Sequence, residues 1–100
     1  MPLVRRKLLV IVTEAALESQ IAEDLVRLGT SGHTITDARG RGSRGVREAS
    51  WEADRNIRIE VLCKEPTAQA IAAHLEETYY ADYAMVVWVE DVEVLRPEKF

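Results

Sequence analysis

Two periods of apolar residues along this 100-residue chain predict both strands and helices. Lys7–Val12 is a short, nearly continuous apolar run rich in β-branched residues, which is typical of a buried strand. Asn56–Leu62 alternates apolar and polar residues, as a strand with one buried face does. The predicted strands are Lys7–Val12, about His33–Asp37, Asn56–Leu62, and Met85–Val89 continuing towards Val92–Leu95.

Helical spacing separates these strands in two places. Apolar residues recur after Ala15 at Leu17, Ile21, Leu25 and Leu28, and Gly29 is placed to end the helix. Pro66 suits the first turn of a second helix, whose apolar positions are Ala68, Ile71, Ala72 and Leu75. The order β-α-β-loop-β-α-β predicts one α+β domain over residues 1–100, a ferredoxin-like sandwich with two helices on one face of a four-stranded antiparallel sheet.

The first and last predicted strands are apolar at consecutive positions, not only at alternate ones. Leu8, Val10 and Val12 are interleaved with Leu9 and Ile11, so both faces of the first strand are apolar. Two helices cover only one face of such a sheet. We therefore expect the second face to pack against other copies of the chain.

Composition narrows the class of protein. The chain is 47% hydrophobic and 30% charged, as ordinary globular domains are, and has no apolar run near the roughly 20 residues that span a bilayer. The N-terminal residues do not form a signal peptide, so a cytoplasmic location is expected. Cys63 is the single cysteine and is predicted to be a buried thiol, with no disulfide or metal site.

The net charge of −4 conceals one concentrated basic segment. Four arginines and no acid occur between Arg39 and Arg47, within a glycine-containing stretch, 38–55, that is too long for a simple connection. Glycines let backbone N–H groups converge on an anion, and Arg44 and Arg47 are spaced to grip one phosphate. The segment has neither a Walker lysine nor a dinucleotide-binding fingerprint. From the residues alone, an anion site and a solvated loop are equally compatible with it.

Motifs along nearly the whole chain resemble those of the PII-like signalling proteins. They are Lys7–Glu14 (KLLVIVTE), Gly32–Thr34 (GHT), Gly40–Arg47 (GRGSRGVR), Asn56–Leu62 (NIRIEVL), Asp82–Ala84 (DYA) and Val92–Leu95 (VEVL). The sequence is most similar to the branch that regulates inorganic-carbon uptake, namely the carboxysome-associated PII proteins and the SbtB-type regulators of bicarbonate transporters.

The resemblance implies a homotrimer with a nucleotide site in each intersubunit cleft and a long T-loop between the second and third strands. It assigns the nucleotide phosphate to Arg44 and Arg47, with Arg41 as a further basic contributor and Gly42 and Ser43 along the phosphate path. Thr13 and Thr34 are implied to line the cleft, and the backbone of Met85, Val86 and Val87 to meet the adenine.

The same resemblance implies a non-enzymatic sensor of AMP, ADP, ATP or cyclic AMP, with bicarbonate as a second ligand and no cofactor or metal. A membrane bicarbonate transporter contacted through the T-loop is the implied partner, and nucleic acid is not expected. Two departures stand out: Met85 occupies a position that is often glycine, and the cysteine pair of SbtB-type C-terminal extensions is missing.

Two other function classes are weaker alternatives. A ferredoxin-like RNA-binding module stacks bases on exposed sheet aromatics, whereas the strands here carry Arg58, Glu60 and aliphatic residues. A small enzyme of the acylphosphatase kind would need a positioned nucleophile or water that no motif supplies. His33 and His74 are not paired with each other by any pattern, and surface or capping roles are expected for both.

Overall fold

The structure, a computed structural model, describes residues 2–40 and 55–100. Its strands and helices are β1 (Val4–Glu14), α1 (Glu18–Arg27), β2 (Thr34–Ala38), β3 (Asn56–Cys63), α2 (Glu65–Tyr79) and β4 (Met85–Val94). Two short 3-10 turns follow β1 and β4, at Ala15–Leu17 and Pro97–Lys99. The strands form one sheet in the order β2-β3-β1-β4 with every neighbouring pair antiparallel. The predicted ferredoxin-like α+β fold is confirmed.

The core lies between one face of the sheet and the two helices. Alternation along β3 buries Ile57, Ile59 and Val61, each at most 1% exposed, and leaves Arg58 and Glu60 on the other face. The main core residues from the other elements are Leu9, Ile11, Leu17, Ile21, Leu25, Ala68, Ile71, Leu75 and Tyr79. Cys63 is also buried, as predicted.

Both helices begin and end where their sequences predict. Gly29 has φ +92°, a left-handed conformation that residues with a Cβ rarely adopt, and it follows the last residues of α1. The Thr30 N–H then donates to the Leu25 carbonyl (3.2 Å), which satisfies a terminal carbonyl of the helix. Pro66 lies in the first turn of α2, where its missing N–H costs nothing.

The outer strands are longer than the apolar runs predict. β1 begins at Val4 and β4 runs unbroken through its acidic residues to Val94. Arg5 lies opposite Glu93, and Lys7 lies opposite Asp91, with which it forms an ion pair. Opposite charges on facing positions stabilise a strand pair, so these polar ends extend the sheet where a count of apolar residues stops.

The second face of the sheet, turned away from the helices, is partly covered by the chain itself. Val10 on this face is completely buried. The Arg58 guanidinium lies 5.4 Å from the centroid of the Trp88 ring, and its Nε donates to Glu60 (2.9 Å). Val86, at 57% exposed, remains open on the same face. The chain therefore shields the middle of this face and leaves apolar surface near the start of β4.

Candidate functional site

One end of the sheet brings together the segments that the sequence predicts to bind a ligand. In the register of the sheet, Glu14 at the end of β1 lies opposite Asn56, and Asn56 lies opposite Ala38. Thr13 lies opposite Met85, the first residue of β4. The chain therefore leaves this end of the sheet at residue 40 and returns to it at residue 55. The flanks of the predicted T-loop are next to the start of β4.

Thr13 is at this end, but its hydroxyl already has a partner. The residue is 2% exposed, and its Oγ1 donates to the carbonyl of Ala84 (2.8 Å). Met85 and Val87 pack against the core as half-buried side chains, and Val86 points to the exposed second face. Of the described residues predicted to bind a ligand, these four are brought together. Three of them offer backbone or apolar groups there, not free polar side chains.

Thr34 is not brought to the same place within one chain. It is exposed and lies opposite Glu60, which in turn lies opposite Val10. Val10 and Thr13 are three residues apart, so Thr34 and Thr13 lie on opposite faces of the sheet and roughly 10 Å apart along the strand direction. A single site containing both threonines therefore does not exist within one protomer.

The predicted phosphate contacts Arg41, Gly42, Ser43, Arg44 and Arg47 lie outside the described residues. Their flanks are described: Arg39 and Gly40 on one side and Arg55 on the other are all exposed. The two flanking arginines place positive charge at the same end of the sheet as Met85. An anion bound there would experience a favourable potential from both flanks.

The residue that contributes most hydrogen bonding at this end was not predicted from the sequence. The Glu14 side chain is buried, at 8% exposed, and its Oε2 accepts a hydrogen bond from the Ala84 N–H (2.7 Å). The next residue, Ala15, donates its N–H to the carbonyl of Arg55 (2.9 Å). An acid directly after an apolar strand was the available signal, because a buried carboxylate needs hydrogen-bond donors.

A second buried polar group, distant in sequence, ties the two helices together. Asp24 on α1 is 5% exposed and accepts hydrogen bonds from the Tyr79 hydroxyl and from His74 Nε2 (3.0 Å), both on α2. It also forms an ion pair with Arg27. His74 thus has a structural partner, in agreement with the expectation that it is not a metal ligand or a catalytic base.

The electrostatics of this cluster follow from its burial and hydrogen bonds. Burial of Asp24 disfavours its charge, but hydrogen bonds from Tyr79 and His74 outweigh that penalty and hold the pKa of Asp24 below its usual value. Burial, reinforced by the Asp24 carboxylate, raises the pKa of the Tyr79 hydroxyl, which therefore stays a neutral donor. The cluster is a stable link between helices, without a group poised for proton transfer near neutral pH.

Neither a metal cluster nor a membrane-spanning helix is found within residues 2–40 and 55–100. In these ranges no three His, Cys, Asp or Glu side chains are grouped to hold a metal ion. Within the same ranges, neither helix has the length and apolar character required to cross a membrane.

Similarity to known proteins extends over the whole chain. The family model for nitrogen regulatory protein P-II matches residues 6–99. A protein from Thermus thermophilus described as PII-like in signalling is 46% identical, with a TM-score of 0.86 over 100% of this chain and 99% of that one.

Two structures of CPII from Thiomonas intermedia K12 are also similar. The complex with ADP, AMP and acetate is 29% identical, with a TM-score of 0.86 over 100% of this chain and 98% of the other. The complex with ADP and bicarbonate is 30% identical, with a TM-score of 0.85 over 99% and 97%. The chain therefore belongs to the nitrogen regulatory protein P-II family, as a PII-like signalling protein similar to CPII.

Proposed function

We propose that this protein senses adenine nucleotides together with bicarbonate and thereby regulates the uptake or concentration of inorganic carbon. The observation that carries this proposal is the similarity along the whole chain to CPII, which was captured with ADP, AMP and bicarbonate. The ligands we expect are AMP, ADP, ATP or cyclic AMP. Signalling, not catalysis, is the proposed output.

The described end of the sheet offers groups that suit an adenine ring. β4 is an edge strand, and no strand of the described chain pairs with its outer side. Along such an edge, alternate N–H and C=O groups remain available, and adenine presents a matching donor and acceptor. In the proposal, the backbone of Met85–Val87 meets the base and the exposed Val86 side chain is close to it.

The phosphate end of the nucleotide is assigned to the basic segment. Arg41, Arg44 and Arg47 carry the charge, Gly42 and Ser43 lie along the phosphate path, and bicarbonate occupies the same basic pocket beside a short phosphate chain. Exposed Arg39 and Arg55 at the flanks support this assignment, because they direct anions to the end of the sheet where β4 begins.

A homotrimer completes the proposed site. The second face of the sheet still exposes Val86 and keeps Leu8 and Val12 only half-buried, so association would bury further apolar surface. Thr34, which is remote from Thr13 within one chain, would share a site with it only across a subunit boundary. The expected particle has three times the mass of the 11.3 kDa chain.

The output of the sensor is proposed to be a ligand-dependent contact with a partner. The segment between Gly40 and Arg55 connects the ligand site to the surface, and a cytoplasmic encounter with a membrane bicarbonate transporter is the proposed use. Because a ligand shifts an equilibrium only by its differential affinity, the nucleotide must bind the two signalling states unequally.

A paired charge-removal experiment tests this assignment. Arg44→Ala/Arg47→Ala should weaken ADP binding at least about a hundredfold, since each charge-assisted hydrogen bond is worth roughly 1.5–3 kcal/mol. The matched control, Lys64→Ala/Lys99→Ala, removes two exposed cations at the opposite end of the sheet and should leave affinity unchanged. Equal calorimetric affinities for the two double variants would contradict the proposed phosphate site.

A further inference from the structure

Three consecutive residues at the end of β1 hold both segments that border the proposed nucleotide site. Thr13 and Glu14 each bind the main chain of Ala84, and Ala15 binds the main chain of Arg55. Ala84 directly precedes the β4 backbone assigned to the adenine. Arg55 is the first described residue after the segment assigned to the phosphate.

The hold on Ala84 is complete, because both polar groups of its backbone are used. Its N–H donates to Glu14 Oε2 (2.7 Å), and its C=O accepts from Thr13 Oγ1 (2.8 Å). The β1–β4 register ends with Thr13 opposite Met85, so Glu14 lies opposite Ala84 one step beyond the last pair. Two side chains thus replace the regular ladder at the point where β4 begins.

These bonds are protected from water, which makes the anchor rigid. Thr13 is 2% exposed and Glu14 is 8% exposed. A hydrogen bond to an ionised acceptor is about twice as strong as a neutral one, and it strengthens further away from solvent. Ala84 therefore has little freedom to shift unless β1 shifts with it.

We propose that Glu14 and Thr13 are positioning residues that couple the adenine-contacting start of β4 to the return of the basic segment at Arg55. The inference rests on the proposed function. A displacement of Met85 by a bound base passes through Ala84 to Glu14, and through the Ala15 N–H to the Arg55 carbonyl. Neither side chain needs to touch the ligand, which agrees with the buried, already bonded hydroxyl of Thr13.

Hydrogen exchange with and without ADP tests this coupling. In the unaltered protein, ADP should slow exchange both at 85–87 and at 55–57. In Glu14→Ala, affinity should fall about tenfold or more. At ADP concentrations that saturate this variant, protection should persist at 85–87 and be lost at 55–57. Glu14→Gln, which keeps an acceptor of the same length, should restore both, and the control Glu23→Ala, an exposed acid on α1, should match the unaltered protein.

The possible failures can be separated. Absence of ADP binding by the unaltered protein would overturn the proposed function and this inference together. Binding with the same protection at 55–57 in Glu14→Ala as in the unaltered protein would overturn the inference alone. If Glu14→Ala does not fold, Thr13→Val, which removes only the hydroxyl, carries the same comparison, and retained protection at 55–57 would again refute the coupling.

Discussion

Tyr79→Phe is the sharpest test of the packing between the two helices. The substitution removes a hydroxyl that donates to the buried carboxylate of Asp24, and it keeps the ring, which packs edge-on against Tyr83 at 6.0 Å. Hydrogen bonds to charged groups contribute roughly 1.5–3 kcal/mol. Because Asp24 keeps its bonds to His74 and Arg27, we expect the free energy of unfolding to fall by about 2 kcal/mol.

Urea denaturation at a fixed chain concentration measures this loss, since oligomer stability depends on concentration. Tyr80→Phe is the matched control, because Tyr80 is the adjacent tyrosine, is 39% exposed and makes no hydrogen bond through its side chain in the described structure. Its effect should stay within about 0.5 kcal/mol. Equal losses for the two variants would refute a specific role for the Tyr79 hydroxyl.

The pH dependence supplies a second check on the same cluster. The pKa of Asp24 is lower in the folded protein than its ordinary value of 3.8. Its charge therefore stabilises the fold fully above the unfolded-state pKa, and this contribution is lost as the pH falls through the lower folded-state pKa. The gap between the unaltered protein and Tyr79→Phe should be constant above about pH 5 and should narrow in acid. In an Asp24→Asn background, most of the gap should disappear.

The remaining predictions concern single features of the fold. Gly29→Ala should cost about 1–2 kcal/mol of unfolding free energy because φ is +92° there, whereas Gly32→Ala, with no positive φ and open space for a Cβ, should be neutral; equal effects in thermal melts would contradict this account. Cys63 should resist thiol reagents in the folded protein, since burial raises the pKa of its thiol, and should react fully in denaturant; rapid reaction of the native protein would show that it is accessible. Ile59→Ala should lower the unfolding free energy by about 2–5 kcal/mol, and a smaller loss on denaturation would mean that the site collapses to fill the cavity.

Local patterns were sufficient for most of the fold. The alternation of Ile57, Ile59 and Val61 predicted β3 because a strand places successive side chains on opposite faces. Gly29 predicted the end of α1 because it can adopt a left-handed φ without strain. The charged ends of β1 and β4 were not predicted, since their stability comes from cross-strand pairs such as Lys7 with Asp91, whose register is a long-range property.

The polar contacts inside the protein were beyond sequence reasoning for the same physical cause. Asp24 and Tyr79 are 55 residues apart, and Glu14 and Ala84 are 70 apart, so no local period links them. Thr13 was predicted to line the ligand cleft from its resemblance to family members. The structure puts it at that end of the sheet with its hydroxyl engaged by Ala84, a detail that only the register of β1 and β4 determines.

Calorimetric titration of the unaltered protein with AMP, ADP, ATP and cyclic AMP, with and without bicarbonate, tests the central claim most directly. We expect saturable binding of at least one of them at one nucleotide per chain, with a dissociation constant below about 1 mM. Bicarbonate should change that affinity, as reciprocal linkage between two ligands of one site requires. If none of the four binds up to several times that concentration, the protein is not the adenine-nucleotide sensor proposed here.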